Sequence, residues 1–412
     1  MSNDVLAQTP TVEHDAVVNP HTGKPATAWQ GSLLLAGSCL PVLGAVLLSP
    51  LLPSMTKDFA STPGSAALVP LVLTVPALFI AILSPFAGAI IDKLGRKRVL
   101  IVALLLYALL GTAPVWVGPL GGILATRVGV GIVEAFIMTA CTTLLADYFV
   151  GRRRDKWFGL QATVTALAAT AFFGIGGGLG ALGWRTPFWL YLVSIVLAVL
   201  MAVAIWPTRQ TGDGSERAAE KLPPLNWGLV LVPGLVSIAG GMIFYTPIVE
   251  LPYLITGHGV TSTAAIGGIA ALASLATAIG AFSFRWIARY GAGVLLPVAL
   301  GLAGVGLLIA ALSPSLPMLV LGAVIVSLGT GILLPTLITW AISRLTYDQR
   351  GRGTGVFTSA VFLGEFLCPL LVLALTGATG TLPAAIAIMA VLALLLGVGS
   401  FIGFRRRAAV AA

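Results

Sequence analysis

Long apolar runs separated by short polar or basic turns dominate the chain. A bilayer core about 30 Å thick needs roughly 20 apolar residues per helix, and twelve runs reach that length. They lie near 31–54, 65–91, 99–116, 119–148, 157–181, 187–206, 227–252, 263–287, 293–312, 316–343, 354–376 and 382–404. Each run is continuous, whereas barrel strands would alternate in polarity over about ten residues. The pattern therefore predicts an all-α membrane protein with twelve spans, numbered 1 to 12.

The composition excludes an ordinary soluble enzyme. Hydrophobic residues make up 58% of the chain and charged residues 9%, against a charged fraction of about 25% in soluble domains. The three cysteines all lie in apolar runs and give no disulfide framework, and the three histidines lie in polar tail or loop. Because no imidazole is available in the membrane interior, we expect no bound metal, no cofactor and no enzymatic activity.

The distribution of basic residues predicts the orientation, because short cytosolic loops gather Lys and Arg. The first 30 residues are polar, which predicts a cytosolic tail without a signal peptide. With the N-terminus inside, all 23 basic residues fall on cytosolic segments except Lys57, Arg185 and Arg127, the last of which lies within span 4. Topology thus explains the net charge of +9, and we expect no nucleic-acid partner. The predicted location is the cell inner membrane, with both termini in the cytoplasm.

A polar stretch in the middle of the chain divides the twelve spans six and six. An internal repeat supports this division, because a step of 196 residues carries the segment at 92–95 onto that at 288–291 and also carries Gly159 onto Gly355. Repeat-built transporters hold their binding site between such halves. The predicted domains are a cytosolic tail (1–30), an N-terminal six-helix bundle (31–206), a linker (207–226), a C-terminal six-helix bundle (227–404) and a second tail (405–412).

The loop between spans 2 and 3 contains the most specific motif of the chain. It reads Gly88-Ala-Ile-Ile-Asp92-Lys93-Leu-Gly95-Arg96-Lys97-Arg98. At every defining position it resembles the G-x-x-x-D-[RK]-x-G-[RK]-[RK] loop of the major facilitator superfamily. The layout of six plus six spans fits that family over essentially the whole chain.

The resemblance implies a conformational latch between the two halves. In the family the Asp of this loop caps the start of span 11, a role that falls to Asp92, and an acidic residue at the cytosolic end of span 4 is its partner. A simple positive-inside anchor is the alternative. The second half has Ala288 at the position of Asp92, so we expect one intact latch. The predicted latch residues are Gly88, Asp92, Lys93, Gly95, Arg96, Lys97 and Asp147.

Ionisable side chains inside the membrane are few, and they are the candidates for proton coupling. Each costs roughly 2.5–3.5 kcal/mol at a helix centre, so such residues mostly line cavities or proton routes. Arg127 and Glu134 lie seven residues apart on span 4, nearly on one helix face and about 10 Å apart along the axis. The run Arg127-Val-Gly-Val-Gly131 also resembles the R-x-x-x-G motif of the family's proton-coupled exporters, whose arginine is thought to assist proton transfer.

Glu134 is therefore our first candidate for the proton carrier, and Glu365, at mid-depth of span 11, is the second. The alternative for Glu134 is a protonated structural residue with Arg127 as its partner. We also expect these three residues to contact substrate. Span 7 adds Phe244 and Tyr245, which either stack on a substrate or belong to the core, since such sites are mostly apolar. It also adds Glu250, a candidate for substrate contact and gating unless it is solvated at the interface.

Two further segments resemble exporters of the drug/proton antiporter branch. In span 5, Phe173-Gly174 aligns with the Gly-Pro of the exporters' G-P-x-x-G-G and Gly177-Gly178 with its closing pair, so the proline is missing. Span 1 ends Pro50-Leu-Leu-Pro53, similar to their P-x-x-P, but it has no membrane aspartate. The resemblance implies a monomeric antiporter that exports a small amphipathic or organic-ion substrate in exchange for protons, surrounded by membrane lipids. An uptake symporter or facilitator with the same fold is the alternative.

Overall fold

The computed structural model describes residues 25–207, 227–343 and 345–411, together with Val18. Most of the predicted tail 1–30 and nearly all of the predicted linker 207–226 therefore lie outside the described residues. Within them, twelve helical segments are long and apolar enough to span a membrane. They are Ala28–Asp58, Ser65–Leu94, Arg96–Val115, Leu120–Tyr148, Gly151–Gly180, Thr186–Ala204, Trp227–Gly257, Thr263–Tyr290, Ala292–Ala311, Leu316–Ser343, Gly351–Thr379 and Leu382–Arg406.

The predicted twelve spans are thus confirmed, with ends that differ by a few residues. The largest differences at a helix start are in span 11 and in span 5, which begins at Gly151 where the apolar run predicts 157. Its first turns are basic and polar, so hydropathy alone excludes them. Similarly, the helix of span 11 begins at Tyr347, before its apolar run, and that of span 12 continues to Ala411.

Span 1 is the least regular of the twelve. It consists of the helices Ala28–Ser38 and Leu40–Val46, a 3₁₀ turn at Ser49–Leu51 and the helix Leu52–Asp58. The breaks follow from its prolines at 41, 50 and 53, because proline lacks the N–H that a helix needs and clashes with the preceding turn. Shorter 3₁₀ segments occur at Ala113–Val115, Thr186–Leu192 and Ala288–Tyr290.

The helices form two six-helix bundles, spans 1–6 and spans 7–12, as the sequence predicts. The bundles meet mainly where span 2 packs on span 11 and where span 5 packs on span 8, with smaller contacts between spans 1 and 7. Spans 3 and 6 lie at the outside of the first bundle, with side chains such as Leu109 and Val203 facing outward at 60% and 86% exposure. Apolar faces of this kind suit contact with lipid.

An even number of spans places both ends of the chain on one face, here named the tail side, and the opposite face is the far side. The tail side carries the loop between spans 2 and 3, and the far side carries the loops at 59–64 and 181–186. Gly95 and Gly291, which the 196-residue step pairs, both turn with positive φ, at 92° and 70°. Two equivalent turns therefore follow spans 2 and 8.

Candidate functional site

A cavity of about 590 Å³ lies between the two bundles and extends from the middle of the membrane toward the tail side. Its volume is within the range of pockets that bind small organic molecules. Eight spans contribute to its wall, namely spans 1, 2, 4, 5, 7, 8, 10 and 11. The lining residues fall within 38–46, 73–80, 134–142, 158–173, 244–251, 270–281, 327–335 and 361–365. The stretch from span 7 lies deepest and closes the cavity toward the far side.

Two carboxyl groups face this cavity in a wall that is mostly apolar. Glu134 and Glu365 are both lining residues, and only 1% and 5% of their surfaces are exposed. Among the described residues no Lys, Arg or His lines the cavity. A buried ionised carboxylate without a cationic neighbour is costly, so the wall favours either a proton on each carboxyl or a positively charged ligand.

Glu134 points from span 4 toward the broken helix of span 1. A Cβ placed on Gly44 would overlap the carboxyl oxygen Oε1 of Glu134, so the glycine makes room for this side chain. That oxygen has no hydrogen-bond partner in the described structure. The hydroxyl of Tyr107 lies at the same place, 3.4 Å from the position of that Cβ, and donates to the carbonyl of Leu40 at 2.6 Å.

Arg127 lies outside the cavity, although the sequence predicts that it contacts substrate. Its guanidinium donates to the carbonyls of Leu110 and Gly111 at 3.0 and 3.1 Å and to the hydroxyl of Tyr191 at 3.1 Å. It also lies over the rings of Phe188 and Tyr191, at 5.3 and 5.2 Å from the two centroids. These partners, all on spans 3 and 6, hold Arg127 inside the first bundle, so this conformation offers no direct contact with cargo.

Phe244 and Tyr245 both line the cavity, as the prediction of a substrate site requires. The hydroxyl of Tyr245 donates to the carbonyl of Ala45 at 2.8 Å, which ties span 7 to span 1 across the two bundles. Glu250 is not among the lining residues, and it is buried at 6% exposure rather than solvated. Of the predicted substrate residues, four therefore meet at the cavity, and Arg127 and Glu250 do not.

The sequence analysis missed a polar cluster on the tail-side half of the wall. Gln161 of span 5 donates from Nε2 to the hydroxyls of Ser38 and Thr142, at 2.7 and 3.3 Å. All three residues line the cavity. An amide inside an apolar run is expensive in lipid and so marks an interior face, which is the sequence signal that predicts Gln161.

Close packing of glycines closes the cavity at the far side. A Cβ on Gly177 of span 5 would lie 2.7 Å from the Cα of Gly267 on span 8, and one on Gly176 would overlap the carbonyl of Leu47 on span 1. Gly174 and Gly178 face open space. The glycine run therefore serves as a packing surface, on which Gly177 meets span 8 of the other bundle and Gly176 meets span 1 of its own bundle.

Hydrogen bonds between spans 1 and 7 add to this closure. The hydroxyl of Ser49 donates to the carbonyl of Ile248, and the hydroxyls of Thr56 and Tyr253 lie 3.0 Å apart. These contacts lie beyond the lining residues at the far side, so the structure has its far side closed.

The predicted latch residues lie at the tail side of the first bundle. Arg96 donates from Nε to Asp92 at 2.8 Å and pairs with the carboxylate of Asp147 at the end of span 4. Lys97 donates to the carbonyl of Ala202 on span 6 at 2.7 Å. The loop thereby joins spans 2, 3, 4 and 6.

The other latch residues have local roles or none that the structure shows. Gly95 follows the end of span 2, and its N–H donates to the carbonyl of Ile91 at 2.9 Å. Lys93 is exposed, and Gly88 faces open space. The side chains at 347, 348 and 350, at the start of span 11, lie outside the described residues. The cap of Asp92 on span 11 therefore stays a prediction.

Comparison with known proteins identifies the family. Residues 34–294 and 282–411 match the family profile described as the Major Facilitator Superfamily. The chain is 27% identical over 199 residues to "Quinolone resistance protein NorA" of Staphylococcus aureus (strain MRSA252), which covers 48% of this chain and 50% of that protein. It is also 27% identical over 216 residues to "Tetracycline resistance protein, class C" of Escherichia coli, covering 50% and 53%. The chain thus spans about half the length of the curated relatives it matches.

Solved structures extend the similarity to nearly the full chain. The human organic anion transporter MFSD10 (TETRAN) superposes with a TM-score of 0.68 at 20% identity, over 91% of this chain and 99% of that one. A bacterial homolog to the human lysosomal transporter Spinster, in an inward-facing and occupied conformation, gives a TM-score of 0.71 at 18% identity, over 92% and 97%. At such identities the likeness shows a shared fold.

Proposed function

The chain belongs to the Major Facilitator Superfamily, and from that premise we propose that it is a proton-coupled antiporter that exports small amphipathic organic cations. Family and fold make it a multi-pass membrane transporter of a small molecule rather than an enzyme, as the sequence predicts. The observation that carries the proposal is the pair of carboxyls, Glu134 and Glu365, in a cavity wall that contains no basic side chain among the described residues.

Competition for one negative charge provides the coupling. An ionised carboxylate in this apolar wall needs a counter-charge, and either a proton or an organic cation can supply it. A proton and a cation at the same carboxyl would together leave an uncompensated positive charge. At that carboxyl, proton and cargo therefore occupy the site alternately, which is the requirement of antiport, whereas symport needs a site that holds both at once.

The remaining wall suits an amphipathic cargo. Phe244 and Tyr245 offer aromatic faces, on which an organic cation can be held by cation–π attraction, and most other lining residues are aliphatic. The names of the two curated relatives refer to resistance to quinolones and to tetracycline, which supports an organic, drug-like cargo as the proposal for this chain.

Transport by rocking of the two bundles completes the proposal. The structure then represents the state open to the tail side, with the far side closed by the glycines of span 5. We assign the tail side to the cytoplasm from the basic loops, in a protein of the cell inner membrane. In this scheme the monomer suffices, and the Asp92 loop acts as the latch for the change of access.

Proteoliposomes with an imposed pH gradient test the direction and the coupling. With an acidic interior and the membrane potential clamped to zero, an antiporter accumulates ethidium, a permanent cation that does not titrate. One-for-one exchange gives up to about tenfold accumulation per pH unit. Expulsion of ethidium under this gradient would instead support symport. Uptake that is the same with and without the pH gradient would support a facilitator. Liposomes carrying Glu134→Gln and Glu365→Gln together are the matched control.

A further inference from the structure

Two buried tyrosines join Arg127 to Glu134. Tyr107 of span 3 and Tyr191 of span 6 are both 0% exposed, and their ring centroids lie 4.8 Å apart. Spans 3 and 6 are the lipid-facing supports of the first bundle, and neither carries a charge within its predicted apolar run. Their inner faces nevertheless place two hydroxyl groups in the interior of the bundle.

The four side chains lie next to one another. Arg127 donates to the hydroxyl of Tyr191 at 3.1 Å. The ring of Tyr191 packs against that of Tyr107, with the two centroids 4.8 Å apart. The Tyr107 hydroxyl and Oε1 of Glu134 lie beside the same residue, Gly44, whose Cβ would overlap the carboxyl oxygen and lie 3.4 Å from the hydroxyl. None of the ion pairs formed by the described residues joins Arg127 to Glu134 directly. Two phenols therefore lie between the arginine and the carboxyl.

The hydroxyl of Tyr107 has a single proton and two neighbouring acceptors. In the structure it donates to the carbonyl of Leu40, while Oε1 of Glu134 has no partner. This arrangement suits a protonated, neutral carboxyl. Once Glu134 loses its proton, the buried carboxylate needs donors, because an unsatisfied buried charge is far more costly than an unsatisfied carbonyl. Rotation about one C–O bond lets Tyr107 supply one.

That rotation has a consequence for span 1. Leu40 is the first residue of the helix Leu40–Val46, directly after the break at Cys39. When Tyr107 turns to Glu134, the carbonyl of Leu40 loses its hydrogen bond from span 3. Span 1 also holds the far-side contact with span 7 through Ser49, so the tie to Leu40 connects the carboxyl to the helix that moves with the change of access.

We propose that Tyr107 is a positioning residue whose hydroxyl switches between the Leu40 carbonyl and the Glu134 carboxylate, and thereby reports the protonation of Glu134 to the broken helix of span 1. Tyr191, which accepts a hydrogen bond from Arg127, packs against Tyr107 and fixes the position of its ring. The inference rests on the proposed function, because it takes Glu134 as the proton carrier.

The groups that face Glu134 are few. Its own span supplies Arg127, and span 1 meets it at Gly44, which has no side chain to titrate. Among the described residues of span 2 the titratable side chains, Asp92 and Lys93, lie at the tail-side end. The other titratable groups that face this carboxyl or its neighbours are Tyr107 on span 3, Tyr191 on span 6, Tyr245 on span 7 and Glu365 on span 11.

Substitution of Tyr107 by Phe tests the switch, with the pH profile of ethidium transport as the readout. Removing the hydroxyl removes a donor to the ionised form of Glu134, so the carboxyl keeps its proton to higher pH. We expect the midpoint of the profile to move upward by roughly one pH unit or more, the size of a hydrogen bond to a charged group. Tyr191→Phe, one step further away, should shift the midpoint in the same direction by less.

Tyr148→Phe is the matched control, because Tyr148 is also fully buried and donates to a backbone carbonyl, that of Trp206, at 2.7 Å. It should lower thermal stability without moving the midpoint. If Tyr107→Phe behaves as this control does, the residue is only structural and the inference is wrong.

Two further measurements test the role of Tyr107 and the proposed function separately. If Tyr107→Phe does not fold, the pH-difference infrared spectrum of the unmodified protein replaces it, and we expect a tyrosine band to change at the same pH as the carboxyl band. Independent titration of the two bands would overturn the switch. Failure of the proposed function is distinguishable, since Glu134→Gln would then retain the pH dependence of transport.

Discussion

Substitution of Gly177 by Ala should shift the transporter toward the state that is open on the far side. Gly177 of span 5 and Gly267 of span 8 belong to different bundles and meet backbone to backbone. A far-side-open state separates these helices, so it can accept the added methyl group. The closed far side cannot, because its nearest neighbours are backbone atoms that do not rotate away.

The structure gives the size of the effect. A Cβ on Gly177 would lie 2.5 Å from the carbonyl oxygen of Thr263, and ordinary contact begins at 3.4 Å. Spans 5 and 8 must therefore separate by about 0.9 Å at this level, and overpacking of this kind costs about 1–3 kcal/mol. The ratio of closed to open far side then falls by roughly five- to 150-fold.

Spin labels at the far side measure this shift. Lys57→Cys and Gly257→Cys introduce labels at exposed positions at the ends of spans 1 and 7, while the three native cysteines are buried. Pulsed electron resonance should show a larger long-distance population in Gly177→Ala. Gly178→Ala is the control, because a Cβ there meets nothing within 4 Å. Equal distance distributions in the two variants would refute the argument from backbone contact.

Three other substitutions test separate parts of the mechanism. Glu134→Gln should leave expression near normal and abolish ethidium uptake driven by a pH gradient. The control Asp155→Asn, which changes an exposed carboxylate on the tail side, should keep that uptake. Full pH-driven uptake by Glu134→Gln would contradict its assignment as the proton carrier. Asp92→Asn should lower the turnover number more than it changes KM, and unchanged turnover with weakened binding would count against a latch. Arg127→Met leaves two backbone carbonyls without their buried donor, at a cost of roughly 1–3 kcal/mol each. Thermal unfolding should therefore begin several degrees lower than in Arg154→Met, a control at an exposed position. Equal unfolding temperatures would contradict a structural role for Arg127.

The architecture could be predicted from the sequence because its signals are local. Apolar runs of helical length, basic loops on one side and a spaced Gly-Asp-Gly motif each depend on a few neighbouring residues. They predicted the twelve spans and the family correctly. The breaks in span 1 were predictable in principle, since Pro41, Pro50 and Pro53 all lie within one run.

The environment of each charged residue could not be predicted in the same way. Seven residues bring Arg127 back to nearly the helix face of Glu134, yet an offset of about 10 Å along the axis gives it different neighbouring helices. The guanidinium consequently lies among spans 3 and 6, and the carboxyl lies against span 1 and the cavity. Helix rotation and crossing decide such contacts, and neither is encoded in spacing alone.

The tyrosines of spans 3 and 6 illustrate the same limit. Within an uncharged apolar run, Tyr107 and Tyr191 are indistinguishable from lipid-facing or core aromatics. Only packing shows that both are fully buried between a cation and a carboxyl. The interior position of Gln161, by contrast, could have been predicted from the sequence, because an amide is costly on a lipid-facing helix.

Proton release on binding of cargo is the most direct test of a carboxyl-lined cavity shared by proton and cation. Ethidium is added to the purified protein in weakly buffered solution with a pH indicator, and the protons released are compared with the cations bound. We predict release close to one proton per cation from the unmodified protein and none from the double variant Glu134→Gln, Glu365→Gln. Stoichiometric ethidium binding with no proton release from the unmodified protein would contradict the exchange mechanism.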